Sequence, residues 1–188
     1  MLRCRVFVAD DGSPIALSEL SGAVDRWALR NLMHWARTGE PTPMYSSPEQ
    51  RLADIESGAQ LPAAWLTAWF EESAQPLAYA TAELTEEQWR AEVLTAQGRT
   101  VPASEVPWMR TREVMVHAVD LGTGIRFADL PEEFCAELRH DIVGKRGSDT
   151  VPTAPTVQGS NADITAYLAG CPYTGVTTGD GAPAEPNP

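Results

Sequence analysis

The sequence predicts a mainly α protein, a four-helix bundle with one β-hairpin and a vestigial α/β segment towards the C-terminal end. Three observations support this fold class. Apolar residues recur at helical spacing along most of the chain, one short stretch has the pattern of two paired strands, and the composition is that of a globular protein. Of the 188 residues, 43% are hydrophobic and 21% are charged, which is typical of a chain that folds around its own core.

The helices are predicted from apolar spacing together with start and stop signals. Ser18 is a plausible N-cap of the first helix and Gly39 its stop. Proline follows a capping residue at Ser47-Pro48, which suits the first position of a helix. Pro76 is expected to kink or interrupt the third helix. Helices are predicted over residues 18–39, 47–58, 105–121, 131–143 and 162–168, with a longer one from residue 62. A brief helical turn at 85–89 is predicted to begin with a capping box formed by Thr85 and Gln88.

The only strand pattern in the main part of the chain lies between two helical stretches. Residues 92–96 and 99–101 are rich in β-formers and flank Gly98, which indicates a β-hairpin with its turn at that glycine. We expect the bundle core to include the aromatic residues Trp65, Trp69 and Phe70, which recur at helical spacing.

Charge and cysteine content limit the partners and the compartment. The chain carries 14 Lys and Arg against 26 Asp and Glu, a net charge of −12, which repels nucleic acids and anionic lipid surfaces. No apolar run reaches the roughly 18–20 residues that span a bilayer. The three cysteines, Cys4, Cys135 and Cys171, match no metal or redox motif, which favours a reducing cytoplasm. We therefore expect neither a nucleic acid nor a membrane as partner.

A chemically distinctive set of residues lies on the predicted helix 105–121. Arg110, Glu113, His117 and Asp120 fall within a stripe about 80° wide. Because Glu113 and His117 are four residues apart, a carboxylate oxygen and an imidazole nitrogen can close on one divalent ion such as Zn²⁺. The same spacing also suits a solvated helix face or a weak intrahelical ion pair. Two ligands do not complete a catalytic zinc site, which normally has three from the protein.

Two segments resemble a known family. The first is the stretch 28–45 (ALRNLMHWARTGEPTPMY). The second is the stretch 98–110 (GRTVPASEVPWMR), which continues through Arg112-Glu113 and His117 to Gly122. Both are similar to mycothiol-dependent maleylpyruvate isomerases. The resemblance extends over about residues 27–143 and resumes weakly at 157–164. It implies a DinB-like metal-binding domain over residues 18–145 and a remnant of a C-terminal domain over 146–170. Residues 1–17 are expected to form an atypical N-terminal arm, and the Pro- and Gly-rich residues 171–188 are expected to be a disordered tail.

The resemblance also implies an activity. Family members bind a divalent metal, usually zinc, through two histidines and a glutamate, and Glu113 and His117 match the glutamate and the second histidine. They use mycothiol to isomerise maleylpyruvate, an unsaturated dicarboxylic keto acid, to fumarylpyruvate in gentisate breakdown. The thiolate adds to the cis double bond, rotation follows, and elimination restores a trans alkene, while the metal lowers the thiol pKa. The chain is expected to act as a monomer or homodimer.

This sequence departs from the family pattern at two places. No histidine occurs between Met1 and Met33, where the family has its other histidine ligand, so Glu19 or Asp25 is considered as a replacement. Cys171 stands where members commonly carry an arginine that helps to hold the acidic substrate. Two alternatives therefore stay open: a mycothiol S-transferase on the same scaffold, and a catalytically degenerate bundle that only binds a partner. The catalytic and cofactor-binding residues are not identified from the sequence.

Overall fold

The computed structural model describes residues 17–58, 60–147 and 157–185. These residues are mainly helical with small two-stranded sheets, as predicted. Most of the N-terminal arm expected over residues 1–17 lies outside the described residues. The helices are α1 (Leu17–Thr38), α2 (Pro48–Gly58), α3 (Ala63–Glu72), α4 (Ala74–Ala82), α5 (Glu86–Trp89), α6 (Val106–Asp120), α7 (Glu132–Gly147) and α8 (Asn161–Ala169). The strands are β1 (Glu92–Leu94), β2 (Thr100–Pro102), β3 (Val157–Gln158) and β4 (Thr177–Thr178).

The chain divides into two compact units. The first ends at His117 and the second begins at Ala118. The division therefore falls inside α6, well before residue 145, where the sequence places the end of the main domain.

The core of the first unit is built on one face of α1. Leu29, Leu32 and Met33 expose 1% or less of their surface, and their spacing of three and four residues is that of a helix face turned to a core. Removing each such side chain from water is worth about 1.5–3 kcal/mol. One cluster joins this face to α4, the hairpin and the start of α6 through Leu29, Leu32, Met33, Leu77, Val93, Val101 and Val106.

Polar contacts bring the C-terminal ends of α1 and α4 together. The Arg37 guanidinium donates a hydrogen bond to the Glu83 carboxylate at 2.8 Å. The Gln88 amide donates to the backbone carbonyl of Arg37 at 3.0 Å. Gln88 also completes the predicted capping box with Thr85 at the start of α5. These contacts fix the exit of α1 beside the segment that leads into the hairpin.

The predicted hairpin is confirmed and delivers the chain to α6. Strands β1 and β2 pair antiparallel, with Val93 opposite Val101 and both side chains buried. Gly98 takes a φ of 75° in the connecting loop, a conformation that glycine adopts without a steric penalty. A 3₁₀ turn over residues 103–105 then leads directly into α6.

One of the aromatic residues predicted as core is not in it. Trp65 is 70% exposed, while Trp69 and Phe70 are half-buried. Helical spacing places aromatic residues on a common stripe, but burial depends on whether another element covers that stripe. The prediction that Trp65, Trp69 and Phe70 form the bundle core is therefore wrong for Trp65, and the core is built on the aliphatic face of α1.

The second unit has more structure at its C-terminal end than predicted. The Tyr173 hydroxyl donates to the carbonyl of Ala184 at 2.7 Å, and β4 pairs with β3. Val176 and Ala184 are buried in one cluster with Tyr167 and Leu168 of α8. The prediction of a disordered tail is therefore wrong for residues 171–185, because scattered apolar residues in this segment pack on α8 without any regular period.

The two cysteines among the described residues differ in state. Cys135 of α7 is buried and free, as predicted, and burial is the main reason why the pKa of its thiol is raised. Cys171 is also buried but is disulfide-bonded. The expectation that all the cysteines are reduced is therefore wrong for Cys171.

Candidate functional site

The candidate site lies on α6, and two positions of this helix are buried in the protein interior. Val106 and Val116 are each only 1% exposed, so the helix is anchored at its start and again in its third turn. Glu113 and His117 lie on the adjacent face, one turn apart. The hairpin and the 3₁₀ turn therefore position both polar side chains through the start of this helix.

The structure brings the predicted pair into direct contact. His117 Nε2 lies 3.1 Å from Glu113 Oε2, and the two side chains are 22% and 19% exposed. This degree of burial contradicts the interpretation as a solvated helix face. The contact itself is an intrahelical pair, and its two side chains carry the donor atom types of a zinc site.

Arg112 contributes a cationic group that the spacing did not predict. One of its guanidinium nitrogens lies 3.6 Å from Glu113 Oε1, so the two carboxylate oxygens face different partners. Residues i and i+1 of a helix point in different directions, and only the length of the arginine side chain allows it to reach back. No periodicity signal in the sequence indicates such a contact.

The environment of Glu113 favours its ionised form. Burial raises the pKa of this carboxyl group, but the hydrogen bond and charge of His117, together with the charge of Arg112, outweigh it and bring the pKa below its ordinary value. Glu113 is therefore a carboxylate at neutral pH. An ionised carboxylate is the form that a metal ion requires.

The pair fits part of a divalent metal site. A carboxylate oxygen and an imidazole nitrogen from one helix turn provide two suitable ligand atoms. Among the described residues, no group of three or more His, Cys, Asp or Glu side chains is placed to hold a metal ion. The side chains of Glu19 and Asp25, the considered replacements, lie outside the described part of the chain.

The other members of the predicted stripe have different surroundings. The guanidinium carbon of Arg110 lies 5.8 Å from the centre of the Phe70 ring, a cation–π distance. Asp120 is buried at the end of α6. His34 and His140 are exposed and lie outside this stripe.

Comparisons with known proteins show which family the chain resembles. Residues 21–122, more than half of the chain, match the family model of the mycothiol maleylpyruvate isomerase N-terminal domain. No curated protein matches the sequence. Within the described residues, no helix has the length and apolar character needed to cross a membrane.

Two solved structures are similar over most of the chain. A crystal structure of the mycothiol-dependent maleylpyruvate isomerase is 43% identical with a TM-score of 0.82, covering 91% of this chain and 80% of that chain. A crystal structure of a histidine-to-alanine mutant of a mycothiol-dependent maleylpyruvate isomerase is 41% identical with a TM-score of 0.84, covering 99% of this chain and 85% of that chain. The chain therefore belongs to the mycothiol-dependent maleylpyruvate isomerase family and is an isomerase-like enzyme.

Proposed function

We propose that this protein isomerises maleylpyruvate to fumarylpyruvate with mycothiol as thiol cofactor and with a divalent metal held by Glu113 and His117. The observation that supports this proposal most directly is the half-buried Glu113–His117 pair on the family's motif helix. Zinc as the metal, gentisate breakdown as the pathway and the cytoplasm as the location belong to the same proposal and rest on family membership. A monomeric or homodimeric assembly is likewise proposed.

The residues of the pair suit a site that holds a cation. Glu113 is ionised and offers negative charge, and His117 offers an imidazole nitrogen at the same level of the helix. Their partial burial keeps water away, which strengthens electrostatic interactions at the site. A bound metal would supply Lewis-acid chemistry by favouring the thiolate over the thiol.

Arg112 has a positioning role in this proposal. Its guanidinium lies beside Glu113 Oε1 and leaves Oε2 on the side of His117. The carboxylate is thereby oriented with one oxygen towards the imidazole. We expect that orientation to keep the two donor atoms together before any metal binds.

The test is a thiol-dependence assay on the purified protein. We expect conversion of maleylpyruvate to fumarylpyruvate, identified by proton NMR of the alkene, with mycothiol present and little conversion with glutathione or with no thiol. The Glu113→Gln variant should lose this activity, whereas the His34→Ala variant should retain it because His34 is exposed and distant in sequence from the motif. Accumulation of a stable thioether in place of the trans alkene would contradict the isomerase assignment and favour an S-transferase.

A further inference from the structure

A second feature of the first unit is an apolar groove between α4 and α6. Its volume is about 530 Å³, within the range of roughly 300–1,000 Å³ found for small-molecule sites. On one side, Ala74, Ala78 and Ala82 recur every four residues along α4, so small side chains form a continuous wall. Val106 of α6 and Trp89 of α5 contribute to the lining.

The described lining of the groove is apolar except at a few positions. Among its nine described residues, Arg110 alone is charged. Thr81, also in the lining, donates its hydroxyl proton to the backbone carbonyl of Ala78 at 2.8 Å, so this donor is used within α4. The groove therefore offers an apolar surface with one cationic group, which fits an apolar ligand that has one anionic group.

Arg110 lies between the groove and the Glu113–His117 pair. It precedes Glu113 by three residues and His117 by seven, which places all three within one face of α6 and separates Arg110 from His117 by about 10 Å along the axis. The Phe70 ring beside its guanidinium restricts its orientation. An anionic group bound at Arg110 thus lies next to the candidate site while its apolar body extends away along α4.

The negative charge of Glu113 does not prevent such an anion from binding. Its two carboxylate oxygens face the Arg112 guanidinium at 3.6 Å and the His117 ring at 3.1 Å. In a chain of net charge −12, an arginine set in an apolar wall is a favourable place for a carboxylate, because charge-assisted hydrogen bonds strengthen where water is excluded.

We propose that the α4–α6 groove binds organic anions with an extended hydrocarbon or aryl body, with the carboxylate at Arg110 and the apolar body along Ala74, Ala78 and Ala82. This inference goes beyond the proposed function, because the apolar body of the ligand extends away from the Glu113–His117 pair, where the thiol reaction would take place. The polar cofactor mycothiol is not the expected occupant of this groove.

The experiment measures binding to the full-length protein without added metal or thiol. Anilinonaphthalene sulfonate serves as a fluorescent anionic probe, and decanoate and decanol compete for it as a charged and a neutral ligand with equal chain length. We expect decanoate to displace the probe at a concentration at least about 10 times lower than decanol, since a charge-assisted hydrogen bond is worth about 1.5–3 kcal/mol.

Three variants locate the binding site. Arg110→Gln should weaken decanoate binding by about 10-fold or more and leave decanol unchanged, and Arg110→Lys should recover part of the loss. Ala78→Phe should block the groove and weaken both ligands. Ala53→Phe makes the same change at an exposed position of α2 and should have no effect. Thermal melts of every variant confirm that the fold is intact.

Specific outcomes would overturn the proposal. Equal displacement by decanoate and decanol would show that Arg110 recognises no anion. Equal effects of Ala53→Phe and Ala78→Phe would show that the probe binds elsewhere. A dimer in size-exclusion chromatography that Ala78→Phe dissociates would identify a second copy as the occupant. Because these assays contain neither thiol nor metal, their failure leaves the isomerase test unaffected, and a failure of that test leaves these results standing.

Discussion

At the scale of single residues, the proposed activity depends on the carboxylate of Glu113 and its two neighbours. One oxygen faces His117 and the other faces Arg112, so the group is held ionised and oriented in a half-buried position. The imidazole must be unprotonated to bind a metal ion. The metal affinity of this protein is therefore a measurable property of two side chains on one helix turn.

We expect weak, substoichiometric zinc that rises when metal is added and falls on acidification. Two protein ligands leave the remaining positions to water or to a poorly placed carboxylate, which lowers affinity relative to a three-ligand site. His117→Ala should abolish the bound zinc, and His34→Ala should not change it. The measurement is zinc per chain by atomic emission spectrometry after gel filtration.

The opposite pattern would reject this assignment. Tight one-to-one zinc in the His117→Ala variant would place the metal elsewhere. Zinc binding that requires both His117 and Asp25 would identify the carboxylate of Asp25 as the third ligand.

The contact within the site was predictable, whereas its electrostatic setting was not. Glu113 and His117 are four residues apart, and helical geometry alone predicts that such side chains meet. Their burial depends on which elements cover α6, and the Arg112 contact depends on a side-chain rotamer. Neither the burial of the pair nor the Arg112 contact can be predicted from the spacing of residues in the sequence.

At the scale of secondary-structure elements, stability should depend on the aliphatic face of α1 and not on the exposed tryptophan of α3. Leu32→Ala is expected to lower the free energy of unfolding by about 2–5 kcal/mol, because it leaves a cavity in the core. Trp65→Ala should lower it by less than about 1 kcal/mol, because most of that side chain is already in water. Urea denaturation of both variants at pH 7 measures the difference, and a larger loss for Trp65→Ala would show that its face is covered in solution.

The link between α8 and the segment that follows it should depend on pH. The hydrogen bond from the Ser160 hydroxyl is the main cause of the lowered pKa of Asp163, and hydrogen bonds from Thr174 and the charge of Arg126 add to it. A lowered folded-state pKa stabilises the fold at pH values above the ordinary carboxyl pKa, and this contribution is lost as the pH falls through the folded-state value.

The Asp163→Asn variant should therefore be less stable than the wild type at pH 7, and the difference should shrink below about pH 4. Glu137→Gln, at an exposed carboxylate of α7, is the matched control. Urea denaturation at pH 7 and at pH 3.5 tests the idea. A stability difference that stays constant across this range would mean that the charge of Asp163 contributes nothing.

Elements with local signals were predicted and elements held by distant contacts were not. The caps at Ser47 and Thr85 and the turn at Gly98 act within four residues, so the sequence shows them directly. The C-terminal segment has no such signal, because Tyr173 and Val176 are ordered by contacts with the tyrosine and leucine of α8 at positions 167 and 168. Glycine and proline there form turns between short packed stretches.

At the scale of the whole molecule, the C-terminal segment should contribute to global stability. Deletion of residues 172–188 keeps the disulfide-bonded Cys171 but removes the buried side chains of Val176 and Ala184 and one partner of the Tyr167–Tyr173 ring contact. We expect Tm to fall by about 5–10 °C, given about 1.5–3 kcal/mol for each large apolar side chain and about 2–4 °C per kcal/mol at this chain length.

A truncation after Glu185 is the control, because it leaves every described residue in place. Differential scanning calorimetry of the two truncated proteins measures both effects. An unchanged Tm in the longer deletion would show that this segment does not pack on α8 in solution.

Family membership and fold class could both be predicted from the sequence. The stretches 28–45 and 98–110 carry an arrangement of residues that composition and periodicity do not specify, and the family and structural comparisons confirm the resemblance. The division of the chain inside α6 leaves no such trace, because a continuous helix has the same local pattern whether or not it passes from one unit to the next.

The proposed activity requires that the Glu113–His117 pair holds the metal used in a thiol-dependent isomerisation. The most direct measurement is the initial rate of fumarylpyruvate formation in saturating mycothiol, plotted against bound zinc for the wild type and for His117→Ala during titration with the metal. We expect the wild-type rate to rise in proportion to bound zinc and the His117→Ala rate to stay at background at every zinc concentration. A His117→Ala protein that reaches the wild-type rate, or a wild-type rate independent of zinc, would contradict the account.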